Sequence, residues 1–538
     1  MSDASKANQD QVVTLRLLRQ LKRGGKRFKA ADSTGVKLSA IDLLVRTLAL
    51  RRFLLREVFA ADEQQVGIFL PPTVPAVATN FAVTLAGKVA VNLNYTASNR
   101  VLAQCSEAAG LKRVLTSRRF LEKVELDPGA PTLCLEDVRP RIRLSDKLVA
   151  WVQAHCYSPE RLHARLGLGH LTADDLLTLV FTSGSTGVPK GVMLTHGNIY
   201  SNIDGIEKCI KLDEHDVVLG ILPFFHSFGY TVTLWAAMTL PCAAVYHYSP
   251  LDARVIGKLA EQYGVTVLLA TPTFLRSYLR RIEPEQFRTL EVVVLGAEKM
   301  PVDLAEAFEQ RFGVRPMEGY GTTELSPVVA VNIPPSRSAG DPHEGWREGS
   351  IGRPLPGVEV RVVSIDTDEP LPVGETGLIE VRGPNVMKGY WQRPDLTAEV
   401  MHDGWYRTGD VGYIDEDGFI YITGRLSRFS KIGGEMVPHI QVEEAINQIL
   451  GVDEEGTLRV AVTAIPDERK GERLVVLHTG LPCSPAELVR RLAETGLPNL
   501  YLPDEQSFVQ VDEIPILGSG KLDLRRIREI ALEHFGQS

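Results

Sequence analysis

The chain has 538 residues, of which 44% are hydrophobic, and its formal net charge at pH 7 is −8. This length exceeds what a single core accommodates and predicts at least two domains. The acidic balance argues against a general nucleic-acid binder, which carries a basic surface over the domain concerned, so nucleic acid is not an expected partner.

The cysteines are scattered and show neither a C-x-x-C pair nor a histidine cluster at zinc spacing. They are Cys105, Cys134, Cys156, Cys209, Cys242 and Cys483. This pattern predicts reduced thiols in a cytoplasmic protein. The most apolar stretch, residues 234–246, is short and contains Thr239 and Pro241, so no membrane span is predicted.

Residues 1–60 are predicted to form an N-terminal extension with a basic segment at residues 15–29. Leucines in this segment interleave with Arg16, Arg19, Lys22, Arg23, Lys26, Arg27 and Lys29. Such a segment could contact an anionic membrane peripherally, at its inner face. The favoured interpretation is a helix that packs its leucines on the protein body, because Gly24-Gly25 interrupts the pattern early.

Apolar runs alternate with helical patterns from about residue 65. Residues 66–70, 89–93 and 114–115 are predicted strands. Strands that alternate with helices predict parallel sheets covered by helices. We therefore expect a large α/β domain over residues 61–424.

Residues 182–191, with the sequence TSGSTGVPKG, are predicted to bind phosphate. Apolar runs at 176–181 and 192–194 flank them as buried strands. Glycines allow close approach to an anion, while backbone N–H groups, hydroxyls and Lys190 supply donors and positive charge. A nucleoside triphosphate is the natural occupant, and an ordinary glycine-rich hairpin is the alternative. Pro189 stands where a Walker A loop has its second glycine, which disfavours a P-loop ATPase or kinase.

Polar residues follow several predicted strands. Residues 222–229 place His226 among aromatic side chains. The strand at 265–269 leads to Thr271, and the strand at 291–295 leads to residues 296–298. Loops at strand ends bind ligands in open α/β sheets.

The rest of the chain predicts a small β subdomain and a separate α+β domain. Alternating strands at 358–363, 377–381 and 419–422 predict the subdomain. We expect a hinge at residues 425–428 and a mobile domain over residues 429–538. The predicted elements of this domain are a helix at 442–450, strands at 458–464 and 473–478, a helix opened by the capping box 484–487, and a glycine-rich loop that ends at Lys521.

Several of these segments, in this order, resemble the motifs of the adenylate-forming superfamily, which includes acyl-CoA synthetases, luciferases and peptide-synthetase adenylation domains. They are 182–191, 222–229 (LPFFHSFG), 319–324 (GYGTTE), 404–410 (GWYRTGD), Gly424-Arg425 and 517–521 (LGSGK). The resemblance covers roughly residues 65 to 525. It departs from the family pattern at 295–299, where Leu295 and Glu298 replace a glycine and a proline.

The resemblance implies the cofactors ATP and Mg²⁺ and assigns roles residue by residue. Nucleotide contacts would come from Thr182, Ser183, Gly184, Ser185, Thr186, Gly187, Lys190, Gly296, Ala297, Glu298, Gly319, Tyr320, Gly321, Thr322, Thr323, Asp410 and Arg425. Tyr320 would stack on adenine, and Asp410 would accept from the ribose hydroxyls. Glu324 and Ser185 would hold Mg²⁺. His226, Phe228, Gly229 and Thr271 would border the acyl pocket. Lys521 would be the catalytic lysine, and Arg428 the pivot of the hinge.

Within the superfamily the chain looks most like the acyl-ACP synthetase domain of the bifunctional acyl-ACP synthetase/2-acylglycerophosphoethanolamine acyltransferase proteins. Their acyltransferase motif, H-x-x-x-x-D, has two matches in spacing: His170 with Asp175, and His247 with Asp252. Both lie inside the α/β body and are interpreted as coincidences.

The expected activity is an ATP-dependent ligase that forms a fatty acyl adenylate and then a thioester on acyl carrier protein. Arg525, Arg526 and Arg528, with Arg425 and Arg428, would attract an acidic carrier. The alternative is a long-chain fatty acyl-CoA ligase that uses free CoA. A non-enzymatic adenylate-binding protein and an oxidising luciferase are further alternatives.

Overall fold

The computed structural model describes residues 8–183, 189–339, 345–433, 435–450, 459–467, 469–516 and 522–536. The chain divides into two compact units: Met1–Val360 with Val381–Tyr406, and Arg361–Glu380 with Arg407–Ser538. The expected hinge at residues 425–428 lies inside the second unit. A hinge there, and the domain boundary after residue 424, stay predictions.

The strands of the first unit and of the segments that adjoin it are, in chain order, β1 (Phe28–Asp32), β2 (Lys37–Ser39), β3 (Gln65–Phe69), β4 (Val89–Asn92), β5 (Val114–Thr116), β6 (Thr132–Cys134), β7 (Leu176–Ser183), β8 (Pro189–Thr195), β9 (Val217–Gly220), β10 (Ala243–Tyr246), β11 (Val267–Ala270), β12 (Val292–Leu295), β13 (Met317–Gly321), β14 (Val328–Val331), β15 (Arg353–Pro354), β16 (Glu359–Val363), β17 (Gly377–Arg382), β18 (Gly389–Tyr390), β19 (Met401–His402) and β20 (Trp405–Ile414).

The helices of the first unit are α1 (Val13–Gly24), α2 (Ala40–Glu57), α3 (Val74–Thr84), α4 (Asn99–Ala108), α5 (Arg118–Val124), α6 (Leu135–Val138), α7 (Leu144–Cys156), α8 (Pro159–Arg165), α9 (His196–Cys209), α10 (Ala237–Thr239), α11 (Ala253–Tyr263), α12 (Pro272–Arg281), α13 (Val302–Phe312) and α14 (Pro394–Val400). A π-helix spans Gly229–Ala236. In the described part of the chain no helix is long and apolar enough to cross a membrane.

Two sheets organise the first unit. One has the strand order β15-β14-β13-β12-β11-β9-β10-β1-β2, and the other has the order β18-β8-β7-β4-β3-β5-β6. The strands from β13 to β1 pair in parallel, as do those from β7 to β6, while the outer strands of both sheets add antiparallel pairs. The prediction of an α/β fold with parallel sheets is confirmed. Helices α11, α12 and α13 contribute buried apolar residues to one core with β9–β12, including Ile256, Leu275 and Phe308.

The leucines of the N-terminal segment pack on the protein body, as the favoured interpretation expects. Leu15, Leu17, Leu18 and Leu21 are buried in α1, which ends at Gly24. The prediction that Lys29 belongs with the surface cations of the basic segment is wrong. This side chain is 3% exposed, and its Nζ donates to the carbonyl oxygens of residues 237, 240 and 242 at 2.6–2.9 Å. Burial lowers the pKa of Lys29 to about 8.

The second unit contains β21 (Ile420–Arg425), β22 (Phe429–Ile432), β23 (Glu435–Pro438), β24 (Val460–Asp467), β25 (Gly471–His478) and β26 (Phe508–Gln510), with helices α15 (His439–Leu450), α16 (Pro485–Ala493) and α17 (Leu524–Phe535). Its C-terminal sheet has the order β23-β22-β25-β24, with β26 beside β25. Ser484 caps α16 by accepting from the backbone N–H of Glu487. These elements form the α+β arrangement expected for the C-terminal part.

Candidate functional site

The predicted phosphate loop joins the two strands of a hairpin. Strands β7 and β8 pair in antiparallel register, with Thr182 opposite Lys190. Residues 184–188, which include Gly184, Ser185, Thr186 and Gly187, lie outside the described residues, as does the side chain of Ser183. The hairpin therefore brings Thr182 and Lys190 together at the base of the loop.

A carboxylate and a cation meet at one tyrosine beside this hairpin. The hydroxyl of Tyr390 donates to Oε1 of Glu324 at 2.8 Å. The Nζ of Lys190 lies 5.3 Å from the centroid of the same ring. Backbone contacts hold all three residues. Tyr390 pairs with Val192 and Lys190 pairs with Thr182 in the sheet, and the N–H of Met387 donates to the carbonyl oxygen of Glu324. Sequence reasoning missed Tyr390, whose signal is only a Gly-Tyr-Trp run after a predicted strand.

A hydrogen bond joins the segment that contains His226 (residues 222–229) to the segment that contains Glu324 (residues 319–324). Ser227 Oγ and Thr323 Oγ1 are hydrogen-bonded at 3.2 Å. Their neighbours are His226, which is exposed, and Glu324, which is half-buried. Thr322 Oγ1 is buried without a hydrogen-bond partner in the described structure. A buried hydroxyl of this kind costs free energy unless a ligand or water satisfies it.

Glycines allow these segments to approach one another closely. A Cβ at Gly296 would lie 3.2 Å from the Phe228 ring and 3.6 Å from the carbonyl oxygen of Gly319. A Cβ at Gly321 would lie 1.7 Å from the carbonyl oxygen of Pro327, and one at Gly229 would lie 2.1 Å from that of Pro223. Both sites therefore exclude any larger residue. The structure brings Gly296, Phe228 and Gly319 into one place.

The two predicted strand-end loops also meet. Thr273 Oγ1 donates to Oε2 of Glu298 at 3.0 Å, and Thr271 caps helix α12 through its hydroxyl. Ala297, between Gly296 and Glu298, has a φ of 72°. This left-handed conformation is strained for alanine, and such strain concentrates at ligand sites. Tyr320 lies on β13, half-buried, in the same sheet.

Asp410 and Arg425 form a pair within the second unit. They are opposite each other in β20 and β21, and Nε of Arg425 lies 3.7 Å from Oδ1 of Asp410. Asp410 is 8% exposed, and its backbone N–H donates to Thr408 Oγ1. The resemblance assigned Asp410 to the ribose hydroxyls and Arg425 to the nucleotide, and both roles stay predictions.

Arg428 is anchored inside the second unit. Its guanidinium donates to Oε1 of Glu443, which also accepts from the backbone N–H of Val462 at 2.7 Å. Burial raises the pKa of Glu443, and Arg428 opposes that shift. Nearby, His439 Nε2 lies 2.6 Å from Ser430 Oγ, and burial together with the charges of Arg428 and Arg528 lowers the pKa of His439 to about 3.

The C-terminal cations are partly compensated. Arg525 pairs with Glu529, and Arg526 pairs with Glu529 and Glu533 on the same helix. Lys521 lies outside the described residues. Its role stays a prediction.

The residues of the two H-x-x-x-x-D matches have structural contacts, which in the second match include one between the histidine and the aspartate. Asp175 accepts from the N–H and hydroxyl of Thr172 in a turn before β7. His247 is buried, its Nδ1 lies 2.7 Å from Ser33 Oγ, and its Nε2 is 3.7 Å from Asp252, which caps helix α11.

The site suits a magnesium ion delivered with a nucleotide better than a metal held by protein alone. Among the described residues, no group of three or more His, Cys, Asp or Glu side chains could hold a metal. Mg²⁺ is commonly bound by one or two carboxylates together with substrate phosphates and water. Half-buried Glu324, oriented by Tyr390 beside the hairpin, fits that requirement.

Comparisons with known proteins place the chain among ATP-using ligases by similarity. A long-chain-fatty-acid–CoA ligase of Bacillus subtilis (strain 168) is 33% identical over 372 residues, which are 67% of this chain and 62% of that ligase. This match therefore spans less than two thirds of that relative's length. A long-chain-fatty-acid–CoA ligase of Salmonella typhimurium is 28% identical over 87% of this chain and 85% of its own.

Among solved structures, ATP-bound MatB from Rhodopseudomonas palustris superposes with a TM-score of 0.78 at 26% identity, over 97% of this chain and 99% of that one. A family model described as AMP-binding enzyme matches residues 19–391. The chain belongs to the AMP-binding enzyme family.

Proposed function

We propose that this protein is an ATP-dependent, AMP-forming ligase that joins a fatty acid to CoA. The relatives named as long-chain-fatty-acid–CoA ligases support this choice of acid and thiol. The observation that carries the proposal is the arrangement of Glu324, Tyr390 and Lys190 beside the hairpin. It offers a positive charge and an oriented carboxylate at the base of a loop rich in hydroxyls and glycines.

The first half-reaction needs this combination of charges. A fatty acid carboxylate oxygen attacks the α-phosphorus of ATP, and the bond to pyrophosphate breaks. Because one anion approaches another, catalysis depends on charge neutralisation and in-line positioning. Lys190 and the hairpin donors would bind the phosphates, and Glu324 would hold Mg²⁺, which supplies positive charge when bound. Lys521 would act on the α-phosphate and the carboxylate together.

The surroundings of His226 support an apolar acyl group. Phe225, the preceding residue, is buried and packs edge-on against Tyr95 at 4.7 Å between ring centroids. Tyr95 in turn contacts Phe69 and Phe120. This aromatic cluster offers few polar groups to a substrate and suits a hydrocarbon chain. His226, Phe228, Gly229 and Thr271 would position the carboxyl end.

The second half-reaction transfers the acyl group from AMP to a thiol, with AMP as the leaving group. Carrier protein was the first expectation for this thiol, and CoA fits the relatives' names better. The ion pairs of Arg525 and Arg526 with Glu529 and Glu533 also weaken the positive surface that an acidic carrier protein requires. We therefore place CoA first. Rotation about Arg428 between the two half-reactions remains part of the proposal, as do ribose binding by Asp410 and a nucleotide contact from Arg425.

The test separates the two half-reactions. ATP–pyrophosphate exchange would be measured with saturated fatty acids of increasing length and with an aromatic acid. Thioester formation would then be measured with CoA and with holo acyl carrier protein. Exchange that depends on a fatty acid, followed by thioester on CoA, is the expected result, and Glu324→Gln is the matched inactive variant.

Two outcomes would contradict the proposal. Exchange that requires the aromatic acid would overturn the substrate class. Thioester formed on carrier protein and not on CoA would restore the carrier-protein interpretation.

A further inference from the structure

Helix α7 presents its largest apolar side chains to solvent. Leu144, Leu148 and Trp151 are 82%, 65% and 51% exposed. Their spacing of four and three residues places them on one face of the helix, and His155 continues that face by stacking on Trp151 at 4.4 Å between ring centroids. We call Leu144, Leu148 and Trp151 the α7 stripe.

The opposite side of the helix packs with small or charged residues. Asp146, Ala150 and Ala154 are the buried residues of α7. Asp146 accepts a hydrogen bond from Arg56 and forms an ion pair with Arg52, both on α2. In most surface helices the large apolar side chains face the core. In α7 the largest apolar side chains face solvent instead. Packing within the unit gives no reason for the stripe.

A partly exposed leucine also lies on the neighbouring helix. Leu55 is 42% exposed and lies on α2 between Arg52 and Arg56, the two residues that pair with Asp146. Exposed apolar side chains that line one face of a helix, as the α7 stripe does, mark a protein or membrane contact.

The segments that carry and adjoin the stripe hold an excess of positive charge although the whole chain is acidic. Residues 52–57 and 139–147 contain six cations, Arg52, Arg56, Arg139, Arg141, Arg143 and Lys147, and two carboxylates, Glu57 and Asp146. These two carboxylates pair with Arg52, Arg56, Arg141 and Arg143, which leaves a net charge of +4 over the two segments. The next acids along the chain, Glu136 and Asp137, are bonded to residues 117 and 118. At the other end of the helix, Lys22 donates to the carbonyl oxygen of Ala154. That bond brings the end of α1, close in sequence to exposed Arg23 and Lys26, to the C-terminal end of α7.

We propose that the α7 stripe and the cations around it form the face on which this protein docks to an anionic lipid bilayer. Leucine and tryptophan side chains beside arginine and lysine are the composition of helices that lie in the interface of a bilayer. The cations would contact lipid phosphates while the apolar side chains enter the headgroup region.

A bilayer fits this surface better than an acidic protein partner. The stripe runs along a single helix on the surface and ends in side chains that are more than half exposed, whereas helix-in-groove recognition needs a concave site. The proposal corrects the expected position of membrane contact. The leucines of residues 15–21 are buried, so that segment can contribute only its exposed cations. The inference does not depend on the reaction catalysed.

Vesicle co-sedimentation tests the proposal. The whole protein would be mixed with vesicles of phosphatidylcholine alone or with added phosphatidylglycerol. We expect binding only to the anionic vesicles, lost at high salt because surface charges are then screened. The double variant Leu148→Ser/Trp151→Ser should bind at least roughly tenfold more weakly, since two apolar side chains no longer leave water.

Matched variants separate docking from folding. Leu251→Ser removes a leucine that is 55% exposed elsewhere in the same unit and should leave binding unchanged. Arg143→Gln and Lys147→Gln should each weaken binding about fivefold. Brominated lipid should quench the fluorescence of the wild type more than that of Trp151→Phe.

Three results would overturn the proposal. The first is wild-type protein that does not prefer anionic vesicles. The second is a double variant that binds them as the wild type does. The third is a double variant that still binds vesicles but, unlike the wild type, no longer self-associates or no longer binds acyl carrier protein when either is measured by sedimentation. The last result would assign the face to a protein partner.

Discussion

The hydroxyl of Tyr390 donates to Oε1 of Glu324 at 2.8 Å and thereby links a short strand at residue 390 to the acidic segment at residues 319–324. The bond orients one of the two carboxylate oxygens. Because a magnesium ligand must be held in a fixed direction, the tyrosine is expected to act through Glu324 and not on the substrate.

Tyr390→Phe should therefore lower ATP–pyrophosphate exchange about tenfold, since a hydrogen bond to a charged group contributes roughly 1.5–3 kcal/mol. It should also raise the magnesium concentration needed for half-maximal exchange. Glu324→Gln should lose about 10²–10³ in rate. A Tyr200→Phe variant, which removes a tyrosine hydroxyl from helix α9, serves as control. An unchanged magnesium dependence in Tyr390→Phe would assign the tyrosine a packing role.

Lys521→Ala should stop adenylate formation and spare thioester formation from supplied acyl-AMP. A positive charge that acts only in the first transition state is worth about 10²–10³ in rate. The two half-reactions would be measured separately by pyrophosphate exchange and by release of AMP. Normal exchange in the variant would show that another group does this work.

Arg428→Ala should destabilise the second unit by about 3–5 kcal/mol at neutral pH, because it leaves the buried carboxyl group of Glu443 without its partner. Burial already raises the pKa of Glu443. A raised carboxyl pKa favours folding at low pH, and that stability is lost as pH rises through the folded-state pKa. Removal of Arg428 raises this pKa further, so the variant should be less destabilised at pH 5 than at pH 8.

Urea unfolding at the two pH values measures this difference. The double variant Arg428→Ala/Glu443→Gln should recover much of the lost stability and lose the pH dependence. If the double variant is no more stable than Arg428→Ala, the arginine contributes through packing. Should Arg428 also serve as the pivot, thioester formation in the double variant would fall more than adenylation.

His196 predicts acid sensitivity of the first unit. It is 3% exposed at the start of α9, and burial lowers its pKa from 6.5 to about 3. The folded state therefore binds fewer protons, and stability is lost as pH falls from 6.5 toward 3. At pH 5 the loss is about 2 kcal/mol. The unfolding free energy of His196→Gln should drop between pH 7 and pH 5 by about 2 kcal/mol less than that of the wild type. Equal drops in the two proteins would contradict the assignment.

Charge reversal on α17 tests the acceptor. If CoA is the thiol, Arg525→Glu/Arg528→Glu should change turnover with CoA by less than about threefold, since Arg525 is already paired with Glu529. If an acidic carrier protein is the acceptor, turnover with it should fall far more, and the fall should be larger at low salt. Thioester formation would be compared at two salt concentrations, and a steep loss with CoA would show that α17 contacts it.

Much of the fold was accessible from local patterns. The hairpin at 176–195 follows from two apolar runs around a glycine-rich loop, and the burial of Leu17 and Leu18 follows from helical spacing. Residues whose environment is set by distant segments were not predictable. Tyr390 acquires its role only because its strand pairs with β8. The α7 stripe has the spacing of an ordinary packed face, and only the position of α2 shows that the other side is buried.

The buried amine of Lys29 has a consequence for the order in which segments fold during synthesis. Its carbonyl partners lie more than 200 residues further along the chain, with Cys242 separated by 213 positions. Strand β1 likewise pairs with β10 at residues 243–246. While the ribosome makes the intervening segment, β1 can pair only with β2, and the amine of Lys29 lacks its acceptors. The two strands β1 and β2 can therefore join the larger sheet only after residue 246 has been made.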